Sequence, residues 1–260
     1  MTKNNISLSQ DELRELVPSA FAKTQSQKVS NKYTFISTTT VLDDMSKLGW
    51  EPFNAAQRKS RKSEDAMFTK HMIRLRNGDV GKVGDSIPEV VLTNSHDGRN
   101  AFNLHAGLFR LVCSNGLVIA DTTFEQVKIK HQWYTMNEVK KTTEKVLVTI
   151  PKIINRIDSF QNTELNNLEK NSFAKKAVYS RWKDGNDYIT SKDMLVPIRD
   201  EDSGDSLWQV LNVVQEKILR GGITYNLNSG RQQTVRALTN IDQRIEVNKR
   251  LWSLAEDYVS

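Results

Sequence analysis

NSHDGRNAFNLHAGLFRLVCSNGLVIAD, residues 94–121, is a long apolar run framed by two polar turns. The stretch from Ala101 to Cys113 could form a strand or a buried helix, because periodicity does not separate the two in an apolar run of this kind. Its sequel favours a strand. Ser114-Asn115-Gly116 is turn punctuation, and a second apolar run, Leu117 to Ala120, follows it as the return arm of a hairpin would. Upstream, Glu89 to Thr93 reads as another strand. From Met67 to Arg76, Ile73 and Leu75 alternate with Lys70, Arg74 and Arg76, and Asn77-Gly78 closes the run with a turn. Downstream, Val127, Ile129, His131 and Trp133 alternate with Lys128, Lys130 and Gln132. These runs predict an antiparallel β-meander.

Helices flank the meander. Ser9 and Glu12 have capping-box spacing, Leu8 and Leu13 are placed as a hydrophobic staple, and Pro18 limits the helix they start. Thr24 to Lys32 reads as a polar linker and Tyr33 to Ile36 as a first strand. Val41, Leu42, Met45 and Leu48 share one face of a second helix, with Gly49 at its C-terminal cap. After Met136 the pattern is helical. Val139, Val146, Ile150, Ile153, Ile157 and Phe160 recur at helical spacing, with Pro151 set to kink or split that helix. Phe173 to Trp182 is a further helix, Asp200 to Asp205 an acidic turn, and Trp208, Leu211, Val214 and Ile218 a stripe ending at Gly221-Gly222. Ile241, Ile245, Trp252, Ala255 and Tyr258 mark a last helix. The expected class is α+β, with the meander in the N-terminal half packed by helices and a helical C-terminal half. The organisation reads as an N-terminal helix and linker (1–32), a basic β-rich core (33–135) and a helical region (136–260) continuous with the core as one domain.

The chain has 260 residues, 38% hydrophobic and 26% charged, enough to build a core. Its net charge is +6 and its pI about 9.3, a balance that favours polyanionic partners. One cysteine, Cys113, excludes an intramolecular disulfide, and its apolar setting fits a packing role. The start of the chain has no apolar signal core, and no run approaches the ~20 apolar residues of a membrane span, so a cytoplasmic location is expected.

Two constellations could carry function. Arg58, Lys59, Arg61 and Lys62 form a basic loop ahead of the strand with Lys70, Arg74 and Arg76 on one face. Together they would track a phosphate backbone, with Trp50 and Phe53 as stacking surfaces for bases. A solvated loop with core aromatics is the plain alternative. The second constellation is the turn with Asn94, His96, Asp97 and Arg99, dense in polar side chains but also an ordinary Asn/Asp/Gly turn. With His105, Cys113 and Asp121 it offers metal-ligand types, yet no pair has zinc-finger or His-Glu-x-x-His spacing. No metal site or cofactor is expected. Both nucleotide-binding glycine loops are missing from the sequence. Ser229 to Gln233, with Arg236, is a lesser phosphate candidate that reads as a solvated loop before the last helix.

The runs FISTTTVLDDMSKLGWEP (35–52), KHMIRL (70–75) and EVVLTNSHDGRNAFNLHAGLFRLVCSNGLVIAD (89–121) resemble the phage/plasmid-like proteins grouped as domain of unknown function 932, from about Phe35 to the C-terminus. That resemblance implies a mobile-element role and no set of catalytic residues. The layout, a helix ending in Leu48-Gly49-Trp50 followed by a basic meander and packed helices, is also similar in outline to Rad52-type single-strand annealing proteins. Those bind single-stranded DNA without ATP and assemble into rings or filaments. The leading expectation is therefore a non-catalytic, single-stranded-DNA-binding protein of a phage or plasmid, self-associating and acting in annealing or recombination. The alternatives are an anti-defence protein that binds a host protein through Asn94 to Arg99, and a metal-dependent hydrolase using His96, Asp97 and His105.

Overall fold

The computed structural model describes residues 6–60, 62–82, 86–110, 116–118, 127–129 and 136–259. The described chain forms two compact units, the first ending at Ile150 and the second starting at Pro151.

The first unit is built on the meander. Strands β1 (Trp50–Gln57), β2 (His71–Asn77), β3 (Ser86–Asn94) and β4 (Phe102–Arg110) follow one another in space as in sequence, all antiparallel. β5 (Gly116–Val118) and β6 (Val127–Ile129) both pair with β4, at opposite ends of its outer edge. The apolar stretch that follows the polar turn at Asn94–Arg99 is thus a strand as far as Arg110. Cys113, Asp121, His131 and Trp133 lie outside the described residues.

Register explains the core. Leu75 lies opposite Val90 and Val90 opposite Ala106; Ile73 lies opposite Leu92 and Leu92 opposite Leu104. These side chains share one face, and Ile73, Leu75, Val90, Leu92 and Leu104 are fully buried. Each contributes about 2 kcal/mol of hydrophobic stabilisation. α1 (Gln10–Leu16) begins with the expected capping box, Ser9 and Glu12 each satisfying the other's backbone N–H. α2 (Thr38–Lys47) buries Val41 and Met45, while Leu48 stays exposed beyond its end. The strand expected at Tyr33–Ile36 is not formed. That segment lies outside the sheet: Ile36 is buried and its carbonyl accepts from the Asn94 amide side chain rather than from a neighbouring strand.

Helix α3 (Met136–Asn162) continues through Pro151 as one element. The second unit adds α4 (Asn167–Arg181), α5 (Ser191–Leu195), α6 (Leu207–Arg220) and α7 (Ile241–Glu256). Capping boxes start α4 at Asn166/Glu169, α5 at Thr190/Asp193 and α6 at Ser206/Gln209. The α6 stripe is buried as its spacing predicts, and Phe160 meets Trp252 with ring centroids 4.8 Å apart. Between α6 and α7 the chain forms a two-stranded hairpin, β7 (Thr224–Asn226) and β8 (Gln232–Thr234), where a loop was expected.

Candidate nucleic-acid interface

One rim of the meander gathers three segments that are far apart in sequence. Here β1 and β3 end and β2 begins. The loop from Arg58 to Lys70 leaves and re-enters at this rim: the Arg58 N–H donates to the Lys70 carbonyl at 2.8 Å, and the Gln57 side chain donates to the Ala66 carbonyl at 2.8 Å. The turn after β3 is held by the His96 N–H donating to the Phe68 carbonyl at 3.0 Å. The stretch 26–33 is fixed to that turn at both ends. The Ser26 N–H donates to the His96 carbonyl at 2.9 Å, and the Tyr33 hydroxyl donates to the Ser95 carbonyl at 3.0 Å. Gly98 seals the contact. Its φ of +73° disfavours other residues, and a Cβ there would sit 2.8 Å from a Val29 methyl. The polar stretch expected to be a linker is therefore part of the rim.

A buried histidine fastens the rim from beneath. His71 is fully buried, with Nδ1 2.8 Å from the Ser19 hydroxyl and Nε2 2.9 Å from the Thr38 hydroxyl. Asn94 donates to the same Thr38 oxygen at 3.0 Å. The Thr69 carbonyl lies 3.4 Å from Nδ1 and can only accept, so an imidazole proton on Nδ1 serves it and Ser19 and leaves Nε2 to accept from the Thr38 hydroxyl. Burial, first, and the nearby His96 push the His71 pKa down to about 3, so the ring is neutral. This chain of bonds joins Ser19, α2, β2 and β3.

The exposed charges on the rim are mostly positive. Arg58, Lys59 and Lys62 on the loop, Arg99 on the turn, and Lys28 and Lys32 on the pinned stretch all face solvent. Arg61 lies outside the described residues. Lys28 binds Asp65 at 2.6 Å and lies 3.9 Å from Glu64. That hydrogen bond from Lys28 is the chief reason the Asp65 carboxyl sits below its ordinary pKa, and the charges of Lys62 and Arg99 act in the same direction. Loop, stretch and turn therefore share one electrostatic surface. Asp97 is occupied locally, accepting from the Ser95 hydroxyl at 2.8 Å and the Arg99 N–H at 3.0 Å. Asn94 and His96 are buried, His96 with its ring 4.7 Å from that of Phe35, so of the polar side chains of the turn only Arg99 is exposed.

The basic face of β2 is a correction to the sequence reading. Lys70, Arg74 and Arg76 are each 5–6% exposed. Arg74 donates to one oxygen of Glu89 at 2.5 Å and Arg76 to the other at 2.8 Å, and Glu89 is fully buried. The reason is topological. β2 lies inside the sheet, and its polar face continues across β3 as Glu89, Val91 and Thr93 and across β4 as Asn103 and His105, all buried. Two guanidiniums on one buried carboxylate form a structural cluster. The stacking surfaces change as well. Trp50 is 3% exposed, in the core. Phe53 sits at the register shift in β1, half-buried, with the Arg76 guanidinium 4.9 Å from its ring centroid. His105 stands on this buried face while His96 stands at the rim beside Phe35 and His71, and no group of three His, Cys, Asp or Glu that could hold a metal occurs among the described residues. Sequence reasoning missed Glu89, His71 and the 26–33 stretch. Of these, Glu89 alone had a readable signal, an acid within a run of Val and Leu.

The family description "Domain of unknown function (DUF932)" matches residues 26–252. The chain belongs to that family. The matched region begins where the pinned stretch begins, so the whole rim falls inside the DUF932 domain. The chain is 34% identical over 251 residues to the UPF0380 protein YafZ of Escherichia coli K12, and 33% identical over 251 residues to the UPF0380 protein YfjQ of the same strain. Each alignment covers 96% of this chain and 90% of the relative. No solved structure matches. No helix among the described residues is long and apolar enough to cross a membrane.

Proposed function

We propose that this protein binds single-stranded DNA along the basic rim, as a non-catalytic DNA-metabolism protein of a phage or plasmid acting in the cytoplasm. The observation that carries the reading is the convergence of Arg58, Lys59, Lys62, Arg99 and Lys32 on three segments tied together by backbone hydrogen bonds, with Lys28 on the same surface already paired to Asp65. A flexible polyanion needs closely spaced cations on a fixed surface, and the His71 chain supplies the fixing. The net charge of +6 acts in the same direction. The buried Arg74 and Arg76 take no part in phosphate contact on this reading.

Binding through this rim is electrostatic, so it weakens steeply with salt. If about four phosphates are engaged, the slope of log K against log salt is about −3, and affinity falls roughly 50-fold between 50 and 200 mM salt. Fluorescence anisotropy with a labelled oligonucleotide of mixed sequence measures this. Absent binding, or binding insensitive to salt, overturns the proposal.

A further inference from the structure

The hairpin between α6 and α7 is an exposed arm with an ordered base. A two-stranded hairpin alone is marginally stable in water, so its base must be held. Gly222 donates to the Val235 carbonyl at 2.9 Å, Val235 to Ile223 at 2.8 Å and Leu238 to Leu219 at 2.8 Å. Arg181 clamps the same base, donating to the carbonyls of Ile218 and Arg236. Gly221 permits the close approach. At φ +72° a Cβ there would lie 2.3 Å from the Val235 carbonyl oxygen.

Above this base the two faces differ. Tyr225 and Gln233 are paired on one face, the tyrosine hydroxyl donating to Gln233 at 3.0 Å and its ring stacking on Tyr188 at 5.4 Å. The register places Thr224, Asn226, Gln232 and Thr234 on the other face, and all four are exposed. That face holds only hydroxyl and amide side chains. Arg231 stands at the tip and Arg236 beside the base, both exposed, and neither forms an ion pair among the described residues. From Gly221 to Ile241 the sequence has no Asp or Glu. The arm therefore offers positive charge and donor/acceptor groups, with no carboxylate of its own to repel a phosphate.

We propose that the β7–β8 hairpin is a ribbon that contacts duplex DNA, its amide and hydroxyl face toward the base edges of the major groove and Arg231 and Arg236 on the flanking phosphates. Two strands lie about 4.8 Å apart, and the major groove, roughly 12 Å wide, admits such a ribbon. Asn and Gln are the side chains that read adenine there in bidentate fashion. A duplex is favoured over a single strand because the arm's tyrosine, Tyr225, is stacked on Tyr188 from the segment before α5, and the outer face presents no ring to an unpaired base. The inference takes from the proposed function only that the protein handles DNA. It concerns a different surface and a different DNA form.

The test uses the full chain, a mixed-sequence duplex and its single strand, with anisotropy as the readout. Three proteins are compared: wild type, Arg231→Glu/Arg236→Glu, and Arg58→Glu/Lys59→Glu/Lys62→Glu, each checked for an unchanged melting transition. The arm variant is expected to lose about tenfold or more in duplex affinity and to keep single-strand affinity within about twofold. The milder Asn226→Ala/Gln232→Ala, which leaves the base of the arm intact, is expected to narrow the spread of affinities among duplexes of different sequence. Duplex binding lost in the arm variant while no protein binds the single strand supports the ribbon and overturns the rim. Single-strand binding with duplex affinity unchanged in the arm variant overturns the ribbon alone. A shift from dimer to monomer in the arm variant by light scattering, with duplex affinity intact, overturns it too and makes the arm a contact between copies.

Discussion

Two basic stretches lie side by side in this sequence and meet opposite fates. Arg58, Lys59 and Lys62 stand in water on a loop, whereas Lys70, Arg74 and Arg76, shortly after it, are buried. Local composition does not distinguish them. Topology does, because β2 has a strand on each side and its polar face is continuous with Glu89 on β3. Positive charge in a sequence therefore marks a phosphate contact only where no carboxylate of the same fold has already claimed it.

The sharpest way to break this contrast is Glu89→Ala. Removing the carboxylate shared by two buried guanidiniums is expected to cost about 3–5 kcal/mol, read as a lower urea midpoint. A cost below about 1 kcal/mol would mean the polar face is not the structural cluster described. Next comes charge reversal of Arg58, Lys59 and Lys62. Stability should stay within about 0.5 kcal/mol of wild type, as for other surface changes, while single-strand affinity at 100 mM salt falls by about 100-fold. A variant that unfolds would place the loop in the core after all.

The third prediction concerns the histidine under the rim. The pKa of His71 is about 3 when folded and about 6.5 when unfolded. The unfolded chain thus binds the extra proton first. The contribution of His71 is complete above pH 6.5 and is lost as pH falls from there toward 3, at about 1.4 kcal/mol per unit. His96 and Lys70 both oppose its protonation. Between pH 7 and pH 5 wild type should lose about 2 kcal/mol more than His71→Gln does, measured by denaturant titration at both values. Equal losses would show that His71 titrates normally. The smallest effect is expected from Gly98→Ala, where the positive φ and the Val29 contact together cost about 1–2 kcal/mol. An unchanged melting temperature there would mean the 26–33 stretch is not pressed against the turn.

Much of the fold was legible because its signals are local. The Ser9/Glu12 capping box, the alternation of Ile73 and Leu75, and the α6 stripe each lie within a few residues, and each formed as read. The misreadings concern partners distant in sequence. Alternation assigns Arg74 and Arg76 to one face but is silent on whether that face is covered, and Glu89 is claimed across a strand pair. Tyr33–Ile36 has strand residues, yet the Asn94 side chain takes the Ile36 carbonyl. The hairpin arm escaped notice because its strands are short and polar, with no apolar alternation to betray them.

The salt dependence of single-strand binding tests the central contrast most directly, in wild type and in Arg58→Ala/Lys59→Ala/Lys62→Ala. If these three side chains meet phosphates and the β2 arginines do not, the variant's log K against log salt slope should be shallower by about 2. An unchanged slope and affinity would contradict the account.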